Sequence, residues 1–162
     1  MNAPFRHAPA GYDCPFCDVV RRVPRPHPYT QPDDIVFHNQ VVTAFISSCW
    51  WPNNPGHVVI VPNDHFENLY ELPAHCGAAI HDMSRVIALA LKAVYGCDGI
   101  STRQHNEPSG GQDVWHYHLQ VFPRHMDDIL YVLTPQRRTT APEERRPYAE
   151  RLRAYLTQPT SV

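Results

Sequence analysis

The stretch His116-Tyr117-His118-Leu119-Gln120 decides how this chain is read. Its nitrogen-bearing side chains recur at every second position, and Tyr117, Leu119 and then Val121 fill the places between. A period of two predicts a β-strand, with His116, His118 and Gln120 on one face and the apolar set on the other. On such a strand, successive members of the polar row stand about 7 Å apart. A metal cluster or a chance run of surface histidines are the simpler alternatives. The flanks argue against chance, because Gly110-Gly111-Gln112-Asp113-Val114-Trp115 leads in and Phe122-Pro123-Arg124 closes the run.

Composition bounds what surrounds this strand. The 162 residues suit a single domain with a modest core. A core over residues about 14–130 is expected, with an arm at 1–13 and a helical tail at 135–162. Many of the 17 prolines lie before residue 33 or after residue 134, so the ends read as extended or irregular. The formal net charge of −2 supplies no basic face, which argues against nucleic acid as a partner. No window approaches the roughly 18 apolar residues of a membrane span. The first residues lack an apolar signal core, and the expectation is a cytoplasmic protein. Five cysteines, an odd number, argue against a disulfide framework. Cys76 and Cys97 read as small core residues.

Element by element, residues 14–22 suggest a short helical turn. Strands at 35–38 and 41–46 flank Asn39-Gln40 as a hairpin. Residues 49–56 read as a rigid aromatic loop and 57–61 as a buried strand, with a short turn at 68–72. Pro73 suits the first position of a helix. Ile80, Met83, Ile87, Ala90, Leu91 and Val94 then recur at three- and four-residue steps, which predicts an amphipathic helix over 74–95 ended by Gly96. A strand at 99–104, a polar Gly-rich loop at 105–113, the motif strand and a charged helix at 142–156 complete the chain. The order predicts an α+β fold: an antiparallel five-stranded sheet with one long helix packed on it and a C-terminal helix. A single motif copy with no internal repeat suggests a homodimer.

Three stretches together carry a family resemblance. GGQDVWHYHLQVFPR (110–124) resembles the signature of the histidine triad (HIT) superfamily of nucleotide-phosphate hydrolases and transferases. Asn54-Pro55-Gly56-His57-Val58-Val59-Ile60-Val61-Pro62-Asn63-Asp64-His65 resembles its PGH-strand-P segment. Cys14-Pro15-Phe16-Cys17 resembles the CxFC element of its zinc-containing members. The third triad position is Gln120 rather than histidine, a pattern similar to the galactose-1-phosphate uridylyltransferase and dinucleotide phosphorylase branches. The resemblance implies that His118 is the nucleophile and that His57 helps order the triad. It also implies that Phe45 packs against a base and that Gly111 and Gln112 approach phosphate. Ser47 is a weaker candidate for the ribose. His105 and Asn106 lie near the family's phosphate-contacting amide, and spacing leaves the choice between them open. Asp113 stands where many relatives have Ser or Thr. A carboxylate beside a phosphate is unfavourable, so that binding role is not carried across. Trp50 and Trp51 are equally core, dimer or base-stacking groups.

The chemistry follows from these residue types. A neutral imidazole attacks phosphorus well near pH 7, and a covalent intermediate splits one hard displacement into two easier ones. Gln120 can hydrogen-bond a phosphoryl oxygen but cannot supply a proton. Cys14 and Cys17 have the C-x2-C spacing of two thiolates on one tetrahedral ion, with a redox pair as the rival. The resemblance adds His65 and His116 as the other ligands, which makes a structural Zn²⁺. The expected function is a nucleotide-phosphate hydrolase or nucleotidyl transferase acting at a nucleoside α-phosphate through a His118-nucleotidyl intermediate. Its substrate would be a dinucleoside polyphosphate or an adenylylated small molecule. The alternative is a non-catalytic, zinc-stabilised nucleotide-binding protein.

Overall fold

The computed structural model describes residues 5–158. Strands β1 (Ile35–His38), β2 (Val42–Ile46), β4 (Val58–Pro62), β6 (Leu119–Arg124) and β5 (Gly99–Gln104) form an antiparallel sheet in that spatial order. Helix α1 (Pro15–Val20) covers part of one face. Helices α2 (Ala74–Tyr95) and α3 (Pro142–Leu156) lie on the other. This is the expected α+β architecture. A second, two-stranded sheet pairs β3 (Cys49–Trp50) with β7 (Arg138–Thr139). The sequence reading placed β3 in a loop and did not anticipate β7, because two-residue strands leave no periodicity to read.

The long helix owes its bounds to backbone chemistry. Gly96 adopts φ +65° and its N–H returns to the Lys92 carbonyl at 3.2 Å, a left-handed stop that glycine takes at little cost. Pro73 sits one place earlier than expected, in the capping position rather than the first turn. Ile80, Ile87, Ala90 and Leu91 are buried against Ala44, Ile46, Val58, Ile60 and Val121 of the sheet. Each such aliphatic side chain contributes about 1.5–3 kcal/mol by leaving water.

The C-terminal helix is anchored by a buried ion pair rather than by apolar contact alone. Arg145 has no exposed surface and donates from Nε to both Asp34 carboxylate oxygens at 2.9 Å, and from Nη1 to the Thr140 carbonyl. Removing one partner of such a pair leaves a buried charge unpaired and costs about 3–5 kcal/mol.

The motif strand begins later than its alternation predicts. Regular pairing starts at Leu119, and residues 116–118 run irregularly into it. The Tyr117 N–H bonds the Phe66 carbonyl at 2.6 Å, outside the sheet. Backbone pairing therefore gives way to side-chain anchoring where the two histidines stand.

Candidate active site

One rung of the sheet lays out the site. Ile35 pairs with Phe45, Phe45 with Val59, Val59 with Gln120, and Gln120 with Arg103. Paired residues share a face, so the rung runs from apolar at β1 to cationic at the edge strand β5. A cavity of about 270 Å³ opens on this face, with Phe16, Phe45, Trp51, His57, His118 and Gln120 among its walls. Phe16 reaches it from α1, tilted against Phe45 and edge-on to His118, with ring centroids 5.3 Å apart in each case.

His118 is held in one chemical state. Its Nδ1 lies 2.8 Å from the His116 carbonyl, which can only accept, so the proton sits on Nδ1. That leaves the Nε2 lone pair on the cavity wall. Burial pushes the pKa of His118 down, which keeps the ring neutral, against a smaller opposing effect of that carbonyl bond. Gln120 adds an amide to the same wall, its carbonyl oxygen buried without a partner among the described residues. A neutral nucleophile beside an amide that cannot donate an acidic proton is equipped for displacement at phosphorus, not for acid catalysis.

Beside this wall, Cys14, Cys17, His65 and His116 bring four ligand atoms within 4.8 Å of one another. Cys14 Sγ to His116 Nδ1 is 3.4 Å, and Cys17 Sγ to His65 Nδ1 is 3.3 Å. The edges of a tetrahedron with ordinary zinc–sulfur and zinc–nitrogen lengths are about 3.6 Å, so this donor set fits such an ion. His116 is tautomerically committed as well. Its Nε2 donates to the Pro62 carbonyl at 3.0 Å, which turns the Nδ1 lone pair toward the thiols. The Cys17 backbone N–H donates to Cys14 Sγ at 3.4 Å; the neighbouring Cys17 thiol holds Cys14 well below the usual thiol range, and Cys17's own pKa is raised by the same neighbour.

The chain matches the HIT domain family model over residues 29–127. It belongs to the HIT family. An uncharacterized HIT-like protein of Saccharolobus solfataricus is 33% identical, over 71% of this chain and 76% of that protein. The purine nucleoside phosphoramidase of Escherichia coli is 31% identical, over 65% of this chain and 82% of its own length. A zinc-bound histidine triad family protein of Mycobacterium smegmatis has the same fold, with TM-score 0.71, 23% identity and coverage of 89% and 93%. HIT proteins include nucleotide-processing hydrolases, and the cysteine–histidine cluster here is one that could hold a metal.

Not every residue singled out from the sequence meets at the cavity. Phe45, Ser47, His57, His118 and Gln120 do, and so do Trp51 and Asp113. His105, Asn106, Gly111 and Gln112 stand in or beneath the loop before the motif. Asn106 accepts from the Leu69 N–H at 2.8 Å and exchanges bonds with Gln104. Buried Gln112 donates to the Glu67 and Val114 carbonyls and accepts from the Glu107 N–H. His105 is bonded at Nδ1 to the Gly110 carbonyl and at Nε2 to Arg103. Gly111 lies under that ring at φ +84°, and a Cβ there would meet His105 Nδ1 at 2.9 Å. Asp113 is partnered by Arg137 at 3.6 Å, which offsets the carboxylate. Trp50 packs into the core against Tyr148, and Trp51 lines the cavity. Sequence reasoning missed Phe16, Arg103 and Arg137 as neighbours of the site. The CxFC element already held Phe16, but nothing local marked the two arginines.

His57 is stacked on Phe122, rings 4.3 Å apart and 15° from parallel, with Trp51 edge-on to both. Burial first, then the Arg103 and His118 charges, lowers its pKa from 6.5 to about 3. Between those values the unfolded chain binds a proton that the folded chain refuses, so stability falls as pH falls. From pH 6.5 to 5 this residue alone should cost about 2 kcal/mol. Denaturant unfolding at the two pH values should show His57→Gln losing correspondingly less stability than wild type. Equal losses would contradict the buried neutral ring, and titration of shared groups cancels in the comparison.

Proposed function

We propose that this HIT protein cleaves or transfers at a nucleoside α-phosphate through a covalent nucleotidyl group on His118. The observation that carries the reading is the His118 imidazole, buried, neutral and fixed by the His116 carbonyl with its free nitrogen on the cavity wall. The bond from His118 Nε2 to phosphorus forms as the leaving-group bond breaks. Nδ1 keeps its proton, so the carbonyl stabilises the positive imidazole that results. Water or another acceptor then attacks the same phosphorus and returns the electron pair to Nε2. Gln120 orients the phosphoryl oxygens, while Phe45 and Phe16 supply apolar walls for the base and Ser47 stands toward the ribose.

In this reading Cys14, Cys17, His65 and His116 hold a Zn²⁺ that is structural, since four protein ligands leave no position for water. Phe16 follows two residues after Cys14 and precedes Cys17 by one, so the cluster also seats one wall of the base pocket. Residues 14–130 act as one domain with residues 135–158 folded onto it. The free cysteines suit a reducing compartment such as the cytoplasm. The exposed edge of β5 suits a homodimer, which sedimentation at twice 18.6 kDa would support and a fully active monomer would refute.

The test is release of AMP from three α-phosphate-labelled substrates: adenosine phosphoramidate, adenosine phosphosulfate and diadenosine triphosphate. Turnover of at least one supports the reading. Tight binding of all three with no product would instead favour a nucleotide-binding protein without activity.

A further inference from the structure

Two guanidinium groups lie over one indole ring on the cavity wall. The Arg103 and Arg137 Cζ atoms stand 5.2 and 5.9 Å from the Trp51 ring centroid. Arg103 also lies 5.3 Å from the Phe122 ring and is the rung neighbour of Gln120. Its Nε and Nη2 each reach His105 Nε2 at 3.4 Å, and its Nη1 is buried with no hydrogen-bond partner among the described residues. His105 has its other nitrogen on the Gly110 carbonyl, so it presents a lone pair to Arg103 and steadies that group. Arg137 comes from the tail, beyond the residues matched by the family model, and lines the cavity itself. The β3–β7 pairing fixes it there, with the Thr140 N–H on the Ser48 carbonyl at 2.8 Å and Trp51 Nε1 on Thr134 Oγ1 at 3.2 Å. The nearest carboxylate to Arg137 is the exposed Asp113, at 3.6 Å. Two like charges on one ring, one of them with an orphaned buried donor, are an arrangement that an anion would relieve.

We infer that Arg103 and Arg137 form an anion subsite for the leaving group, so that this chain selects nucleoside α-phosphates joined to a second phosphate or a sulfate. The inference rests on the reaction proposed for His118. It also explains how that reaction proceeds beside Gln120, which has no proton to give. An amine leaving group has to be protonated as the phosphorus–nitrogen bond breaks. A phosphate or sulfate departs with the electron pair of the phosphorus–oxygen bond and needs no proton, only positive charge to receive it. Guanidinium groups supply that charge in a fixed bidentate geometry. After departure, water attacks the nucleotidyl group, its proton passes to solvent, and Nε2 regains its electron pair.

The experiment compares kcat/KM for two substrates with the same AMP group, adenosine phosphosulfate and adenosine phosphoramidate. Wild type should favour the phosphosulfate. Arg137→Gln should lower the phosphosulfate-to-phosphoramidate ratio by at least about tenfold, and Arg137→Lys should recover part of it. Arg103→Lys should lower the same ratio, since an ammonium cannot keep both the His105 contact and a bidentate hold. Arg137 is half exposed, so its variants should keep the wild-type thermal midpoint, which makes the kinetic comparison decisive even if Arg103 variants are unstable. An unchanged ratio in Arg137→Gln, or a wild-type preference for the phosphoramidate, would overturn the subsite while leaving the His118 chemistry intact. A wild type that turns over neither substrate, nor diadenosine triphosphate, would sink the proposed function and the subsite together.

Discussion

His118→Asn should lower kcat/KM by at least about a thousandfold, some 4 kcal/mol of transition-state stabilisation, while nucleotide affinity stays within about threefold of wild type. The expectation comes from the absence of a substitute among the neighbours. The Nδ1 atom of His116 faces two thiols and its Nε2 is spent on the Pro62 carbonyl. His57 is stacked on Phe122 with Trp51 edge-on to it, and Gln120 carries no nucleophilic nitrogen. Asparagine is smaller than the ring it replaces and sits at a cavity wall, so thermal stability should fall by only a few degrees. Steady-state kinetics and calorimetric titration with AMP separate these effects. A variant with near-normal turnover would remove the nucleophile from the account.

Loss of a cluster ligand should do the opposite: stability first, activity in consequence. Cys14→Ser or His116→Ala should bind no zinc and unfold about 10–20 °C lower, equivalent to roughly 5 kcal/mol for a chain of this size. The loss should be partial because the sheet and the α2 helix keep a core of their own. The same variants should have a raised KM, since α1 carries Phe16 to the base pocket and its anchoring begins at Cys14. Metal analysis on protein purified without chelator, with thermal scans before and after chelation, checks this directly. Zinc-free protein with unaltered stability and a readily formed Cys14–Cys17 disulfide would favour the redox alternative.

The elements that were legible in the sequence are those whose reason is local. The three- and four-residue recurrence from Ile80 to Val94 and the Gly96 stop bound α2 at Ala74–Tyr95 as expected. The hairpin at Asn39-Gln40 and the strand Gly99–Gln104 were equally plain. So was the cysteine pair, although His65 and His116 came from family resemblance, since nothing in spacing alone joins residues 14 and 116. What was hidden is tertiary. Arg145 reads as one more charge on a solvated helix and is instead wholly buried on Asp34, 111 positions away. Arg103 stands on β5 and Arg137 just before β7, and they meet only because β5 sits at the sheet edge and β7 staples the tail to β3. The regular strand expected at His116 begins at Leu119. The alternation there records which side of the chain each residue occupies, not ladder pairing.

The claim on which the rest depends is that the α-phosphate passes through a covalent bond to His118. Each displacement at phosphorus inverts its configuration, so two in succession restore it. The direct measurement is therefore the stereochemical course with a substrate made chiral at the α-phosphorus, such as a phosphorothioate analogue hydrolysed in isotopically labelled water. Retention of configuration is the result predicted here. Inversion would mean that water attacks the substrate in a single step, and it would contradict a nucleotidyl-histidine intermediate.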